Sequence, residues 1–314
     1  MQNVKIFSGS SNRPLAEELA RKLNLPLGDI EISRLASGEI SLRYIESIRS
    51  AHVYIVQSLS HPVNEHLVEL MIMIDAAKRA SAKTINIVMP YYGYARQERK
   101  AAPREPISAK LVADVLTTVG ADRLITVDLH ADPIQGFFEI PVDHITALDL
   151  ITDYLKSKNI KNPVVVSPDA GRATTAEKLA NYMDCPFAIM IKNRPAHNKT
   201  KITHIIGEVE GMTPIIIEDL IDTGGTIVNV VEALHKRGAN DAYICATHGL
   251  FSDNALEKLS HPFIKEVVIT DTIAIDPNHS DKFVVLPMAD LLATALKIIN
   301  NGGSINTLFK TKQM

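Results

Sequence analysis

The sequence predicts an α/β protein, with mainly parallel sheets flanked by helices and a β-hairpin appendage, from three features. Apolar, β-branched runs recur at Val4–Phe7, Val53–Gln57, Thr84–Met89, Leu124–Val127, Val164–Ser167, Ile215–Ile217 and Ala242–Ala246. These runs are continuous rather than alternating, as in strands buried on both faces of a parallel sheet. Stretches with helical spacing lie between many of them, so the chain reads as successive βαβ units. The half-polar alternation of Glu39–Tyr44 suits instead an exposed antiparallel strand or hairpin.

Taken in order, Val4–Phe7 gives way to polar turn residues, and Glu39–Tyr44 supplies the hairpin. After Val53–Gln57, the stretch following Pro62 puts Leu67, Leu70, Met71 and Ile74 on one apolar helical stripe. Thr84–Met89 ends at Pro90 and leads into a charged loop, and Leu124–Val127 precedes a turn-rich segment, Glu139–His144. Leu148–Lys158 has helical spacing. Val164–Ser167, Phe187–Ile191, Ile215–Ile217 and Ala242–Ala246 then read as strands, with a helix beginning near Ile227.

At 314 residues the chain favours two domains, placed at 1–145 and 146–314, with the C-terminal tail able to pack back on the first. A hydrophobic share of 46% with 22% charged residues is that of a globular chain, and excludes collagen-like or disordered composition. The net charge of -3 carries no footprint for nucleic acid or a membrane surface, so any anion site must be local. Cys185 and Cys245 are the only cysteines, which excludes a disulfide framework and a cysteine zinc site. With no signal-peptide pattern at the start and no run of membrane-spanning length, a cytoplasmic protein is expected.

The strongest motif is Ile215-Ile216-Ile217-Glu218-Asp219-Leu220-Ile221-Asp222-Thr223-Gly224-Gly225-Thr226, a buried strand running into acids, a Thr-Gly-Gly-Thr turn and a helix. Glycines allow close backbone approach, while hydroxyls, successive N–H groups and a helix N-terminus converge as a phosphate cradle. The acids would repel phosphate but accept hydrogen bonds from vicinal hydroxyls, so a ribose 5-phosphate fits both halves of the motif. A plain βα turn with acidic caps would explain one acid and one glycine, not three acids and this turn. A second segment, Arg96 to Lys110, carries Arg96, Arg99, Lys100, Arg104 and Lys110 beside Tyr91, Tyr92 and Tyr94, and reads as a basic lid at a nucleotide site.

These motifs resemble the ribose-phosphate pyrophosphokinase family, also called phosphoribosyl pyrophosphate synthetases, more closely than the simple type I phosphoribosyltransferases. The likeness extends over Pro90-Tyr91-Tyr92-Gly93-Tyr94-Ala95-Arg96-Gln97, Arg104-Glu105-Pro106-Ile107-Ser108, Asp128-Leu129-His130-Ala131, Ser167-Pro168-Asp169 and Lys192-Asn193-Arg194-Pro195. It implies two phosphoribosyltransferase-like domains, ATP in the first and ribose 5-phosphate in the second, assembled as a homohexamer. By the same resemblance Ser37, Gly38, Glu39, Arg96, Gln97 and Asp143 contact ATP. Arg194, Glu218, Asp219, Asp222, Thr223, Gly224, Gly225 and Thr226 hold the sugar phosphate, His130 and Asp169 serve magnesium, and Lys192, Arg194, Lys100 and Arg104 act on the transferred group.

The implied reaction is transfer of a diphosphate from ATP to ribose 5-phosphate. A phosphoribosyltransferase and a catalytically weak synthetase-associated subunit are the alternatives. The charged loop argues against the first, and its lack of an insertion between Arg96 and Pro106 against the second. The chain departs from the family pattern at Leu35, Ala102, Asn193 and Glu218, and at Arg172, which puts a bulky cation where backbone approach to a ligand is expected.

Overall fold

The computed structural model describes residues 3–196, 199–275 and 280–309, with the backbone alone for 192–196 and 199–203. By contacts these divide into two units. The first comprises the residues up to Thr146, Asp271–Ala274 and those from Pro287 on; the second comprises Ala147–Thr270 and Ile275–Leu286. The chain therefore passes between units more than once: the first crossing falls at 146/147, and the residues from Pro287 on return to the first unit.

In the first unit β1 (Val4–Ser8) leads to α1 (Arg13–Lys22), then to β2 (Ile30–Arg34) and β3 (Ile40–Tyr44). The chain continues through β4 (His52–Val56), α2 (Val63–Arg79), β5 (Thr84–Met89), α3 (Ser108–Val119), β6 (Arg123–Val127) and β7 (Val142–Ile145). The sheet order is β1-β4-β5-β6-β7, every pair parallel, while β2 and β3 form a separate antiparallel hairpin. Phe7, Val53, Ile55, Ile85, Ile87, Met89 and Leu124 pack with Leu70, Met73 and Ile74 of α2 and Val112 and Leu116 of α3 in one buried core.

The second unit holds α4 (Leu148–Ser157), β8 (Pro163–Ser167), α5 (Ala173–Met183), β9 (Phe187–Ala196), β10 (Lys199–Ile206) and β11 (Thr213–Ile221). It continues with α6 (Gly225–His235), β12 (Ala242–Gly249), α7 (Ala255–Leu259), β13 (Ile264–Thr270) and β14 (Phe283–Leu286). Its sheet runs β10-β9-β8-β11-β12-β13-β14, parallel except for the β9–β10 hairpin at one edge. The last helix, α8 (Ala289–Asn300), belongs to the first unit and packs against α1. Among the described residues no helix is long and apolar enough to cross a membrane.

The α/β class, the parallel sheets and the hairpin are as the sequence predicts, and several local expectations are corrected. The segment Glu139–His144 is not all turn, because β7 begins at Val142 and pairs with β6. A four-residue edge strand with Asp and His at its centre offers too short a period to detect. Lys192–Pro195 does not follow a strand but lies within β9, and β11 runs on through Glu218 and Asp219 to Ile221. The α2 stripe is shifted: Leu70 and Ile74 are buried with His66, Glu69, Met73 and Ala77, while Leu67 and Met71 are only half-buried.

Glu69 is the unexpected member of that stripe, a carboxylate with no solvent exposure. Burial of a charge is tolerated only with a full set of partners. Glu69 accepts from the Ser10 N–H at 2.7 Å, Ser10 Oγ at 2.9 Å, Gln57 Nε2 at 2.9 Å and Arg34 Nη2 at 3.0 Å. One side chain thus joins the loop after β1, the end of β4 and the end of β2 beside the hairpin tip. Close approach is enforced beside it, because a Cβ on Gly9 would lie 2.3 Å from the Gln57 side chain.

Replacing Glu69 by Ala should cost roughly 2 to 4 kcal/mol, since the buried Gln57 amide loses an acceptor at about 1–3 kcal/mol and the part-buried Ser10 and Arg34 donors lose theirs as well. Urea unfolding checks this. A change in the range of an exposed-residue substitution would show that the network does not hold the hairpin.

Candidate functional site

The place where a ligand should bind follows from the order of the second sheet. From β8 the chain moves outward to β9 on one side, whereas from β11 it moves to β12 on the other, so the winding reverses between β8 and β11. At such a switch point the loops leaving two neighbouring parallel strands diverge and open a crevice beyond their carboxyl ends. Val165 pairs with Ile215 and Val166 with Ile216, which brings the loop after Ser167 level with the last residues of β11.

Those residues are the predicted ones. Glu218 and Asp219 stand half-buried on β11, Ile221 is buried, and Asp222, Thr223 and Gly224 make the turn into α6. Gly224 has φ +71, the left-handed region that glycine enters without a Cβ penalty, and it is the N-cap of α6. Gly225 differs. Its φ is not in that region, and a Cβ there would meet nothing within 4 Å, so its lack of a side chain leaves open space at the helix start. The first N–H groups of α6 have no acceptor inside the helix and carry its positive end, and Thr226 is exposed beside them. The helix begins at Gly225, two residues earlier than expected from Ile227.

Across from this turn, Asp169 caps the 3-10 turn Ala170–Arg172, its Oδ1 accepting from the Gly171 N–H at 3.0 Å. Ser167 Oγ donates to the Asp169 carbonyl at 2.5 Å and pins the loop to the end of β8. Arg172 reaches over to β11, with Nη2 2.6 Å from Asp219 Oδ1 and Nε 3.9 Å from Glu218 Oε2. Magnesium takes oxygen donors and keeps several waters, so the Asp169 carboxylate fits a metal role. His130 supplies nitrogen and fits only through such a water. Among the described residues no three His, Cys, Asp or Glu side chains gather as a metal cage.

In the first unit the hairpin tip carries Leu35, Ser37, Gly38 and Glu39, all exposed. Ser37 Oγ donates to Glu39 Oε2 at 2.6 Å, and the Gly38 N–H donates to the Leu35 carbonyl at 2.8 Å with φ +88 at the glycine. Leu35 is 52% exposed and so is not a packing residue. Arg96 and Gln97 sit on the 3-10 turn Ala95–Gln97, where Gln97 Oε1 accepts from Ser108 Oγ at 2.6 Å. Lys100 and Arg104 lie exposed on the loop beyond, whose Ala101 and Ala102 N–H groups donate to Glu105 at 2.8 Å.

Two expectations in this unit need revision. Tyr91 and Tyr92 do not present faces to a nucleotide, since both are buried; the Tyr92 hydroxyl donates to the Ala109 carbonyl, and burial pushes its pKa up. Asp143 lies on β7 with its carboxylate 2.5 Å from Arg123 Nη1, and Arg123 begins β6. That places it at the amino-end edge of the sheet, away from the loops that carry the other nucleotide candidates.

Sequence reasoning missed His144, whose Nε2 accepts from the Leu129 N–H at 2.9 Å while Nδ1 lies 3.2 Å from Gln135 Nε2. It braces the loop that holds His130. The side chains of Lys192 and Arg194 lie outside the described residues; their backbone belongs to β9.

Comparison with known proteins agrees with this arrangement. The family model for the N-terminal domain of ribose phosphate pyrophosphokinase matches residues 4–120, and one described as the phosphoribosyl synthetase-associated domain matches residues 185–310. A ribose-phosphate pyrophosphokinase of Fusobacterium nucleatum is 51% identical over 310 residues, covering 98% of each chain. The chain belongs to the ribose-phosphate pyrophosphokinase family. The family member from Bacillus caldolyticus is 50% identical over 307 residues, again with 98% of each chain covered. The crystal structure of phosphoribosylpyrophosphate synthetase from Mycobacterium smegmatis superposes with a TM-score of 0.91 at 42% identity, over 96% of this chain and 100% of that one.

The two glycines of the turn should separate in their effects. Gly225→Val points into open space and should abolish ribose 5-phosphate binding in a calorimetric titration, with a melting temperature within about 2 °C of the parent. Gly224→Val forces a β-branched residue to positive φ and should cost stability, about 1–2 kcal/mol from the backbone alone. Normal sugar-phosphate affinity in Gly225→Val would show that the open space at the start of α6 is not where phosphate sits.

Proposed function

We propose that the chain is an ATP:ribose-5-phosphate diphosphotransferase that forms 5-phosphoribosyl 1-pyrophosphate and AMP. The observation that carries this reading is the acid-rich strand end and Thr-Gly-Gly-Thr turn at the switch point of the second sheet, in a chain aligned end to end with enzymes of that name. The anomeric hydroxyl attacks the β-phosphorus, a new C1–O–P linkage forms as its proton is lost, and the bond between the α-phosphate and β-phosphate breaks to release AMP. No covalent intermediate on the protein is needed.

Each group of residues has one task in this scheme. The start of α6, with Thr223, Gly224, Gly225 and Thr226, takes the 5-phosphate, while Glu218, Asp219 and Asp222 accept from the ring hydroxyls. That fixes the attacking oxygen, and fixed geometry alone is worth a large part of such a barrier. Ser37, Gly38, Glu39, Arg96 and Gln97 bind the nucleotide. Lys192, Arg194, Lys100 and Arg104 neutralise charge that builds on the transferred group, an effect strongest where water is excluded. Magnesium, when bound, would supply further charge neutralisation, and Asp169, with His130 through a water, are the residues that would hold it. Asp143, the remaining nucleotide candidate, is paired with Arg123. The same reading makes the enzyme a cytoplasmic homohexamer, as goes with its family.

The direct assay is AMP formation from ATP, expected to depend strictly on both ribose 5-phosphate and magnesium; AMP released without the sugar, or none with both present, would contradict the proposal. Within it, Lys192→Ala should lower kcat by about 10²-fold or more while leaving the dissociation constant for ribose 5-phosphate nearly unchanged, because it acts on charge that exists mainly in the transition state. A raised KM with unchanged kcat would remove Lys192 from that role.

A further inference from the structure

Arg172 is the one cation that the described residues place directly on the acids proposed to bind the sugar. It is the last residue of the 3-10 turn Ala170–Arg172, whose start is fixed by the Asp169 cap, so the direction of its side chain is set by the loop after β8. The guanidinium is 17% exposed, Glu218 is 14% and Asp219 is 9%. The contact is therefore not one of the solvated pairs that salt bridges usually make at surfaces, whose value is close to nothing. At 2.6 Å the Arg172–Asp219 bond is at the short, strong end for a charge-assisted hydrogen bond.

Two kinds of donor want the same lone pairs. A carboxylate only accepts, a guanidinium only donates, and sugar hydroxyls serve as donors toward an acid. We infer that Arg172 sets the affinity of the sugar site: its guanidinium holds Asp219 in place of a sugar hydroxyl, with Glu218 in longer electrostatic reach, and the sugar binds by displacing it from Asp219. This rests on the reading that these acids receive the sugar. The ion pair occupies Asp219 while the site is empty, and so raises the threshold for occupation. A ligand must bring a donor to Asp219 to replace this bond, so Arg172 lowers the affinity of the site for its sugar.

The consequence is measurable without turnover. In Arg172→Met, which keeps most of the side-chain length and removes the donors, ribose 5-phosphate should bind about three- to tenfold tighter by calorimetry, the gain expected from no longer breaking a partly buried ion pair. Arg172→Lys, which keeps the charge without the planar guanidinium, should fall between the two and serves if the Met variant does not fold. Neutral D-ribose gives a second readout that a merely structural role would not move: followed by ligand-observed NMR, it too should bind about three- to tenfold tighter in Arg172→Met, although it carries no phosphate to respond to the lost charge.

Asp219→Ala separates the two ideas. If it loses ribose 5-phosphate binding while Arg172→Met binds no tighter than the parent, the sugar reading stands and the displacement by sugar is overturned. If Asp219→Ala binds normally, both fall. Weaker binding in Arg172→Met would likewise overturn the inference, since it would mean that the guanidinium stays and supports the bound sugar.

Discussion

Parallel pairing is the constraint on which the rest of this molecule depends. Strands that all run one way deliver their carboxyl ends to one edge, and each must hand over to a helix whose N-terminus starts near that edge. In the second sheet this brings the Asp169–Arg172 turn after β8 and the acids, glycines and helix start of β11–α6 side by side. Neither loop makes a site by itself. The turn offers N–H groups for an anion, the strand end offers acceptors for hydroxyls, and the reversal of winding between β8 and β11 separates the loops enough to admit a ligand.

Charge placement follows from the same constraint. Acids at a strand end next to a helix N-terminus are stabilised by its positive end, yet two of them adjacent still require a cation. Arg172 provides it in the second unit. In the first unit the buried Glu69 solves the inverse problem, a single carboxylate surrounded by donors from three segments, one of them Arg34 beside the hairpin tip. In both cases a charge near the ligand-facing edge of a sheet orders loops that have little apolar surface of their own, which is how loops on a rigid scaffold keep a defined geometry.

Much of the fold was legible because buried parallel strands are continuous apolar runs. β1, β4, β5, β6, β8, β11 and β12 each announce themselves in this way. The Thr-Gly-Gly-Thr turn was equally plain, since glycines, hydroxyls and acids in that order have few structural uses. What could not be read were features decided by tertiary neighbours. β7 is too short and too polar to show a period. The lysine and arginine of β9 looked like a loop because an edge hairpin need not be apolar. Tyr91 and Tyr92 beside the charged loop read as a sign of a nucleotide site, but both are buried, and the Tyr92 ring packs in the core with α3, where its hydroxyl donates to Ala109. Asp143 lies at the amino-end edge because β7 is parallel to β6, a register that the sequence pattern around it does not reveal. Arg172 was visible as an oddity, and only the spacing of β8 and β11 shows what it touches.

The central claim is that the edge between β8 and β11 is the sugar-phosphate site, and amide hydrogen exchange read by mass spectrometry tests it most directly. Adding ribose 5-phosphate alone should slow exchange in peptides covering residues 169–173 and 218–228, where loop and helix-start N–H groups gain an acceptor or lose access to water. The hairpin tip at 35–39 and the loop at 98–107 should be unaffected until ATP is added. Protection confined to the hairpin and the charged loop, with none at 218–228, would contradict the account.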